Sequence, residues 1–540
     1  MHLGQNALGK WRAAPDFGGA VHSPALELGQ ENSRRWVLGR EGWLDAALFF
    51  CLILFVLCAP VATKGAVTAY RVALLLWLVK ILIERRKLER QPLALPLLLF
   101  LLFTTVSTVF STEPLLSWGR MRGVTELTIA LLVGQTLKNL RQVRILVYLL
   151  LAAGLVSVGI TAWQYTFGIG IKLTANTPAS VSLSQLGLLP EDIIQKVNRK
   201  NVFTQHQLFA RLEQLPPNSS VELTVAREIS LAHLDVWTGS PFAYLNVTIA
   251  QKKALEDTLQ QPGVNLGRGR PLRAEGTLKH YFPYSEVMVM IGLLAWGLLI
   301  APGANLHIKI LMGLAFLSIS AVVVLTLTRI SLAGLLLGCC LITWKQVNGR
   351  SRRLILVAFF AALLVGVNWI QQHRAQKWMD LSDPGTQYRL LMWRDSTKFI
   401  RAHPIVGMGL DSIGGHWQRW DLEAYRRFPL KSHFHSTPIE FAVECGLPTL
   451  AVWLWLMGGY LAFLLRLTTL SRKAGWFPQG LASGLLAGLV AVLLTSLLQY
   501  NFGDSEAMIV FWFLMGLAFA LKRILHDSEM STESRSSENA

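Results

Sequence analysis

Residues 308–344 read IKILMGLAFLSISAVVVLTLTRISLAGLLLGCCLITW, and this stretch decides the class of the protein. It carries two charges, Lys309 near its start and Arg329 in its interior. About 30 Å of hydrocarbon at 1.5 Å per residue asks for roughly 17–25 mostly apolar residues. The stretch therefore reads as two membrane crossings, 308–327 and 329–344, joined at Arg329 with almost no loop. Similar apolar runs lie on both sides, at 44–62, 65–83, 92–110, 124–137 and 145–165 before it, at 285–301 directly upstream, and at 354–370, 447–466, 480–500 and 506–522 after it. The expectation is an all-α polytopic membrane protein with about twelve transmembrane helices, the fourth and eighth being the shortest.

The composition agrees. Hydrophobic residues make up 52% of the 540 and charged residues only 16%, with a mean hydropathy of +0.41. The net charge of +18 is spread in short basic clusters between apolar runs, a pattern of membrane topology signals and not of a phosphate-tracking groove, so nucleic acid is excluded as a partner. One set of short loops holds fifteen Lys and Arg, among them Arg85, Arg86, Lys87, Arg350, Arg352 and Arg353, while the opposite set holds only Lys64, Arg120, Arg122 and Arg329. By the positive-inside rule both termini face the cytoplasm. The five cysteines have neither a disulfide framework nor zinc spacing.

With that orientation the chain divides into a cytoplasmic tail (1–43), helices one to five (44–165), an extracytoplasmic insertion (166–284), helices six to nine (285–370), an extracytoplasmic loop (371–446), helices ten to twelve (447–522) and a Ser/Glu-rich cytoplasmic tail (523–540) expected to be disordered. The tail before the first apolar run is too long and polar for the start of a cleaved signal peptide, so that run is expected to stay in the protein. In the insertion a helical pattern over Gln205–Leu215, a Pro216-Pro217-Asn218 turn and the alternation Val221-Glu222-Leu223-Thr224-Val225-Ala226 predict a small α/β unit, with further strands near Leu231–Trp237 and Ala243–Ile249.

The 371–446 loop concentrates residues that do chemistry: Tyr388-Arg389 and Trp393-Arg394, His403-Pro404, Gly407-Met408-Gly409, and His433-Phe434-His435-Ser436 leading to Glu440 and Glu444. Arginine suits phosphate because its planar fork makes two parallel charge-assisted bonds and keeps its proton. A histidine there can accept a proton near neutral pH. Each residue alone has a plainer reading: Arg329, Arg120 and Arg122 as interfacial arginines whose stems lie along apolar surface, His435 as a helix cap, Glu440 and Glu444 as a solvated i, i+4 face. His433-x-His435 with Glu440 could hold zinc, but that His spacing suits a strand better than a helix, which argues against a metal.

Together these residues resemble the O-antigen ligase and polymerase family of bacterial envelope glycosyltransferases. The likeness rests on Arg389 four residues before Trp393, on His403-Pro404 followed by Gly407-Met408-Gly409, on His435 with Ile439, Glu444 and Gly446 at offsets of four, nine and eleven, and on the Thr328-Arg329 junction. It covers residues 310–450, and the other helices by topology only. The resemblance implies a GT-C-type fold at the inner membrane, free of metal and cofactor. It implies a donor glycan carried on undecaprenyl pyrophosphate and an acceptor that is lipid A core, protein or another glycan. It further implies that Arg329 and Arg389 bind the donor pyrophosphate and that His435 is catalytic; Arg120, Arg122, Arg394, His433, Glu440 and Glu444 are candidate supporting residues on their chemistry and position. Direct attack opposite the pyrophosphate would invert the anomeric centre. The chain departs from the family in having Ser436 where Asn often follows the histidine, and in its 166–284 insertion. A polymerase of lipid-linked repeats and an anion transporter of bicarbonate type are the competing readings, though transporters gather such groups at the midplane rather than at one face.

Overall fold

The computed structural model describes residues 42–84, 91–216, 218–228, 242–271, 273–278, 280–374, 384–413, 420–427 and 433–538, and these are mostly helical. The chain divides into two units, Met1–Ala47 and Leu48–Ala540. Of the first, only Gly42–Ala47 is described, the opening of helix α1 (Gly42–Cys58). In the second follow α2 (Thr63–Glu84), α3 (Ala94–Val109), α4 (Pro114–Val124), α5 (Thr128–Thr136) and α6 (Leu140–Phe167).

Among the described residues seven helices are long and apolar enough to cross a membrane: α2, α6, α10 (Tyr281–Ile300), α11 (Leu306–Leu325), Gly446–Lys473, Trp476–Ser496 and Ser505–Met530. Helices α1 and α3 are apolar but shorter. Two more of the expected crossings are helical, as α12 (Arg329–Gln346) and α13 (Gly349–Arg374), and seven of the expected twelve stand on length and composition. The run at 124–137 is not one helix. Thr125–Leu127 is a 3-10 turn and α5 has nine residues, about 14 Å of rise. The cause is local: the Thr125 hydroxyl bonds back to the Arg122 carbonyl, the Thr128 hydroxyl to that of Thr125, and the Tyr70 phenol reaches both Thr125 O and Thr128 Oγ1. Hydroxyls that compete for backbone carbonyls in this way tighten and bend a helix.

The membrane helices sort by how much of their surface other helices cover. Helix α10 and the Ser505–Met530 stretch have 83% of their apolar windows buried, whereas α2 has 17%. Close backbone contact makes this central packing possible: a Cβ on Gly297 of α10 would run into the Gly480 carbonyl and the Gly484 backbone of the Trp476–Ser496 helix. With lipid as apolar as leucine, such small-residue contacts are what hold neighbouring helices together. The final helix runs on to Glu538, where a disordered tail is expected from composition. Extending an existing helix costs far less than nucleating one, so the apolar Ser505–Met530 stretch carries the polar residues after it.

Between α6 and α10 lies an α/β unit: β1 (Gly170–Ala175), α7 (Thr177–Gln185), β2 (Ile193–Val197), β3 (Lys200–Asn201), α8 (Gln205–Glu213), β4 (Val221–Glu228), β5 (Phe242–Ile249), α9 (Lys252–Leu259) and β6 (Val264–Gly269). The sheet is antiparallel in the order β5-β4-β2-β1-β6, with β3 paired to β2. Residue Val221 faces Ile249 and Gly170 faces Gly269, and a bulge lies between Ile194 and Lys196. The two-residue alternation buries Val221, Leu223 and Val225 with Leu208 and Leu212 of α8. Side-chain caps start the helices: Asn176 accepts from Ala179 N at 3.2 Å and Thr204 from Gln207 N at 3.2 Å. The strand expected near Leu231–Trp237 falls outside the described residues.

Candidate functional site

The residues singled out beyond α13 are carried by α14 (Pro384–Ala402) and by the segment from His433 through α16 (Thr437–Glu444), the short α15 (Glu423–Arg427) lying between them. They surround a small apolar core of their own, with Tyr388, Met392, Phe399, Met408, Phe434 and Val443 all buried. This core fixes the loop that presents the histidines. The Trp393 indole N–H donates to the Phe434 carbonyl at 2.8 Å, and the Phe434 N–H donates to Glu440 Oε2 at 2.6 Å. Glu440 thus closes the turn in front of its own helix. Its Oε2 is engaged by the backbone, and among the described residues no three His, Cys, Asp or Glu side chains are grouped so that they could hold a metal ion.

The His403-Pro404-x-x-Gly407-x-Gly409 motif is explained by close packing. Its turns lie against the end of α16 and the start of the next helix, with Met408 N–H on the Val443 carbonyl at 2.9 Å, Gly409 N–H on that of Glu444 at 2.8 Å and Leu447 N–H on that of Pro404 at 2.8 Å. Gly407 (φ 69°) and Gly409 (φ 98°) are left-handed, and a Cβ on Gly407 would meet the Glu444 carbonyl. These glycines position Glu444, whose Oε1 accepts from Asp411 N–H at 2.7 Å and whose Oε2 accepts from the Tyr500 phenol at 3.3 Å. Arg120 joins the same corner through Asp411, Nε to Oδ2 at 2.7 Å.

His435 is buried and left-handed, at φ 51°. Its Nδ1 lies 3.3 Å from Gln499 Oε1, and its N–H donates to His433 Nδ1 at 3.2 Å. The His433 ring stands 4.3 Å away and that of Tyr388 5.9 Å, both edge to face. Gln499 is held in turn: its carbonyl accepts from Thr437 N–H and hydroxyl, and that hydroxyl donates to Asn501 Oδ1 at 2.8 Å.

The electrostatics favour neutral groups. Burial first, then the neighbouring His433 and Arg389 charges, hold His435 well below the usual imidazole range. His433, partly open to solvent, is pushed down to about 4 by enclosure in protein and then by the charges of His280 and Arg389. Burial also raises Glu440, with the adjacent Glu444 charge second, and raises Glu444. At neutral pH the imidazoles are proton acceptors and the carboxyls tend to keep their protons.

Of the nine residues the sequence singles out, Arg389, His433, His435, Glu440, Glu444 and Arg120 share this corner. Arg329 heads α12, whose Ser331 hydroxyl lies 2.7 Å from that of Ser285 in α10. Arg394 lies in an exposed pair with Glu423 at 3.3 Å, and Arg122 is exposed on α4. Sequence reasoning missed Gln499, Tyr500 and His280. They lie at helix ends remote in the chain, and only tertiary packing connects them to the site.

Compared with known families, residues 314–454 match the family model described as O-Antigen ligase. The match takes in Arg329, Arg389 and His435 and leaves out the α/β unit. No curated protein matches the chain.

Proposed function

We propose, from the assignment of residues 314–454 to the O-antigen ligase family, that this multi-pass membrane protein transfers a glycan from a polyprenyl-pyrophosphate carrier to an acceptor hydroxyl. In this reading the transmembrane body is GT-C-type with about twelve crossings, both termini are cytoplasmic and the site opens at the outer face of the inner membrane. Arg329 and Arg389 bind the donor pyrophosphate. As the glycosidic C–O bond breaks, negative charge grows on that leaving group, and arginines that stabilise it more in the transition state than in the ground state lower the barrier, by about 2.7–4 kcal/mol for one such contact.

The observation that carries the reading is the environment of His435. A buried imidazole with Nδ1 at Gln499 Oε1 and held below its usual pKa is neutral at pH 7. With its Nδ1–H on the amide oxygen, Nε2 is the nitrogen that takes the proton of the attacking hydroxyl, as in other bases oriented through their second nitrogen. The hydroxyl oxygen bonds to the anomeric carbon opposite the departing pyrophosphate, inverting that centre, and the proton moves to Nε2. Residues Glu440, Glu444 and Tyr500 hold the loop around it.

The test is transfer itself. Purified full-length protein, given a labelled polyprenyl-pyrophosphate-linked glycan and separately lipid A core, a protein and a second lipid-linked glycan, moves label to one of them. Transfer to the second lipid-linked glycan alone makes the protein a polymerase. Transfer to none, with anion uptake into vesicles that depends on Arg389 and His435, replaces the enzyme reading by transport.

A further inference from the structure

The connector between β6 and α10 carries an arginine that the reading above leaves without a task. Arg273 lies four residues past Gly269, is 9% exposed, and lies over the ring of Tyr281, the first residue of α10, with Cζ 4.2 Å from the centroid. That stack covers the face of the guanidinium and leaves its in-plane Nε donor unmet. Nε is buried and has no hydrogen-bond partner among the described residues. Charged donors are not left so in a protein interior without a reason.

The connector is fixed against the membrane helices. Ala274 N–H donates to the Leu325 carbonyl at 3.0 Å, Gln164 Nε2 to the Gly276 carbonyl at 2.8 Å, and the Thr277 hydroxyl to the Val61 carbonyl. Gly276 is left-handed at φ 56°, with the Tyr284 ring where its Cβ would be. Leu325 ends α11, and α12 begins four residues later at Arg329. The Ser285–Ser331 hydroxyl contact brings the N-terminal ends of α10 and α12 side by side. His280 caps the first, its Nδ1 accepting from Phe282 N–H at 3.2 Å. The second has no side-chain cap, because the Thr328 hydroxyl donates to the Thr326 carbonyl instead. The connector carrying Arg273 is thus tied to the end of α11, four residues before Arg329 and an uncapped set of helix amides with the positive pole of their dipole; the buried carboxyls nearby in the chain are Glu275 and Glu286, the latter bonded to the Thr495 hydroxyl and the Asn501 amide. A buried arginine with an unmet donor, tied through its connector to the segment that leads into a helix N-terminus headed by a second arginine, fits an anion.

We infer that Arg273 is a third diphosphate-binding arginine, supplied by the connector of the inserted unit, which acts with Arg329 and the N-terminal end of α12. The inference rests on the lipid-linked donor proposed above. Its ligand is the diphosphate of that carrier. A third cation beside it favours diphosphate over monophosphate, because the second phosphate brings the added charge that Arg273 meets.

The test uses the full chain in nanodiscs and three probes: polyprenyl diphosphate without glycan, polyprenyl monophosphate and inorganic pyrophosphate. The wild type prefers the diphosphate lipid. Arg273→Gln weakens that binding about 10–100-fold, changes monophosphate binding about threefold at most, and so narrows the preference; Arg273→Lys lies between. A purely structural role for Arg273 would lower the melting temperature and all three affinities together, leaving the preference intact, which overturns the inference. Should Arg273→Gln not fold, Tyr281→Leu decides, since removing the platform under Arg273 narrows the preference in the same direction and an unchanged preference refutes it. The two proposals separate cleanly. If the wild type shows no preference for the diphosphate lipid, the donor reading fails and this inference with it. If Arg329→Gln and Arg389→Gln lose the preference while folded Arg273→Gln keeps it, only the inference fails.

Discussion

The inserted α/β unit and the His435 corner both bury ionisable side chains, and they treat them in opposite ways. In the insertion Asp192, with no exposed side-chain surface, meets Arg227 in a two-pronged pair, Nε to Oδ1 and Nη2 to Oδ2 both at 2.8 Å, and accepts a third bond from Leu189 N–H at 2.8 Å. Every acceptor has a donor and the charges cancel. In the His435 corner like is placed beside like: imidazole by imidazole under an arginine field, carboxyl by carboxyl, so burial drives each toward its neutral form. The first arrangement serves folding, since a satisfied pair does no chemistry. The second keeps proton acceptors and donors in reserve, which is how perturbed groups collect at functional sites.

That contrast is broken most severely by removing the reserve. His435→Asn should cut glycan transfer by about 10²–10⁴-fold while polyprenyl diphosphate still binds, measured by transfer assay and by binding on the same preparation; retained transfer would refute the role of the imidazole. Breaking the satisfied pair should instead cost folding. Asp192→Ala leaves half-buried Arg227 with only the Gly187 carbonyl and leaves the Leu189 N–H unpaired, and should destabilise the insertion by about 1–3 kcal/mol, read as faster hydrogen exchange in β2 and β4 with the membrane helices unaffected. A third, smaller effect sharpens the tautomer argument: Gln499→Ala should lower transfer about tenfold and move the acid limb to lower pH, since the amide oxygen at Nδ1 favours the protonated imidazole and its loss leaves burial and the neighbouring charges unopposed.

The pH profile follows from the shifts themselves. His435 is held below 6.5, so the acid limb of kcat/KM should fall below pH 6.5; a limb at or above that value contradicts a buried neutral base. The stability sign is the same. An unfolded imidazole binds a proton below pH 6.5 that native His433 does not accept until about 4, so stability is lost as pH falls through that window. Glu440 and Glu444, raised above the usual carboxyl range, give the opposite slope and lose stability as pH rises. The smallest effect is expected at Arg394, whose pair with Glu423 is exposed on both sides: Arg394→Ala should change stability by less than about 0.5 kcal/mol and leave transfer within about twofold.

Much of the helical layout was legible, because a membrane imposes one length and one polarity on whatever crosses it. The run at 308–344 breaks at Thr328-Arg329 in the structure as in the sequence. Alternation over Val221–Ala226 likewise gave a strand with one buried face. The failures have local causes. Hydropathy sees an apolar average over 124–137 and not the threonine hydroxyls that split it. Composition sees a polar tail and not the helix already growing into it. Within the site, spacing could find His433, His435, Glu440 and Glu444 because one short segment carries them. It could not find Gln499, more than sixty residues away, whose relation to His435 exists only once the Thr437 hydroxyl has caught the Gln499 carbonyl.

The left-handed backbone at His435 has a practical consequence for mutagenesis. A saturation library at this position would be sorted twice, once by chemistry and once by torsion. Asparagine and glycine adopt such a backbone readily, whereas valine and isoleucine resist it. Expression yield should rank the variants by torsional tolerance and turnover by basicity. Asparagine, tolerant but unable to take the proton, is the replacement with which to trap donor and acceptor together for imaging.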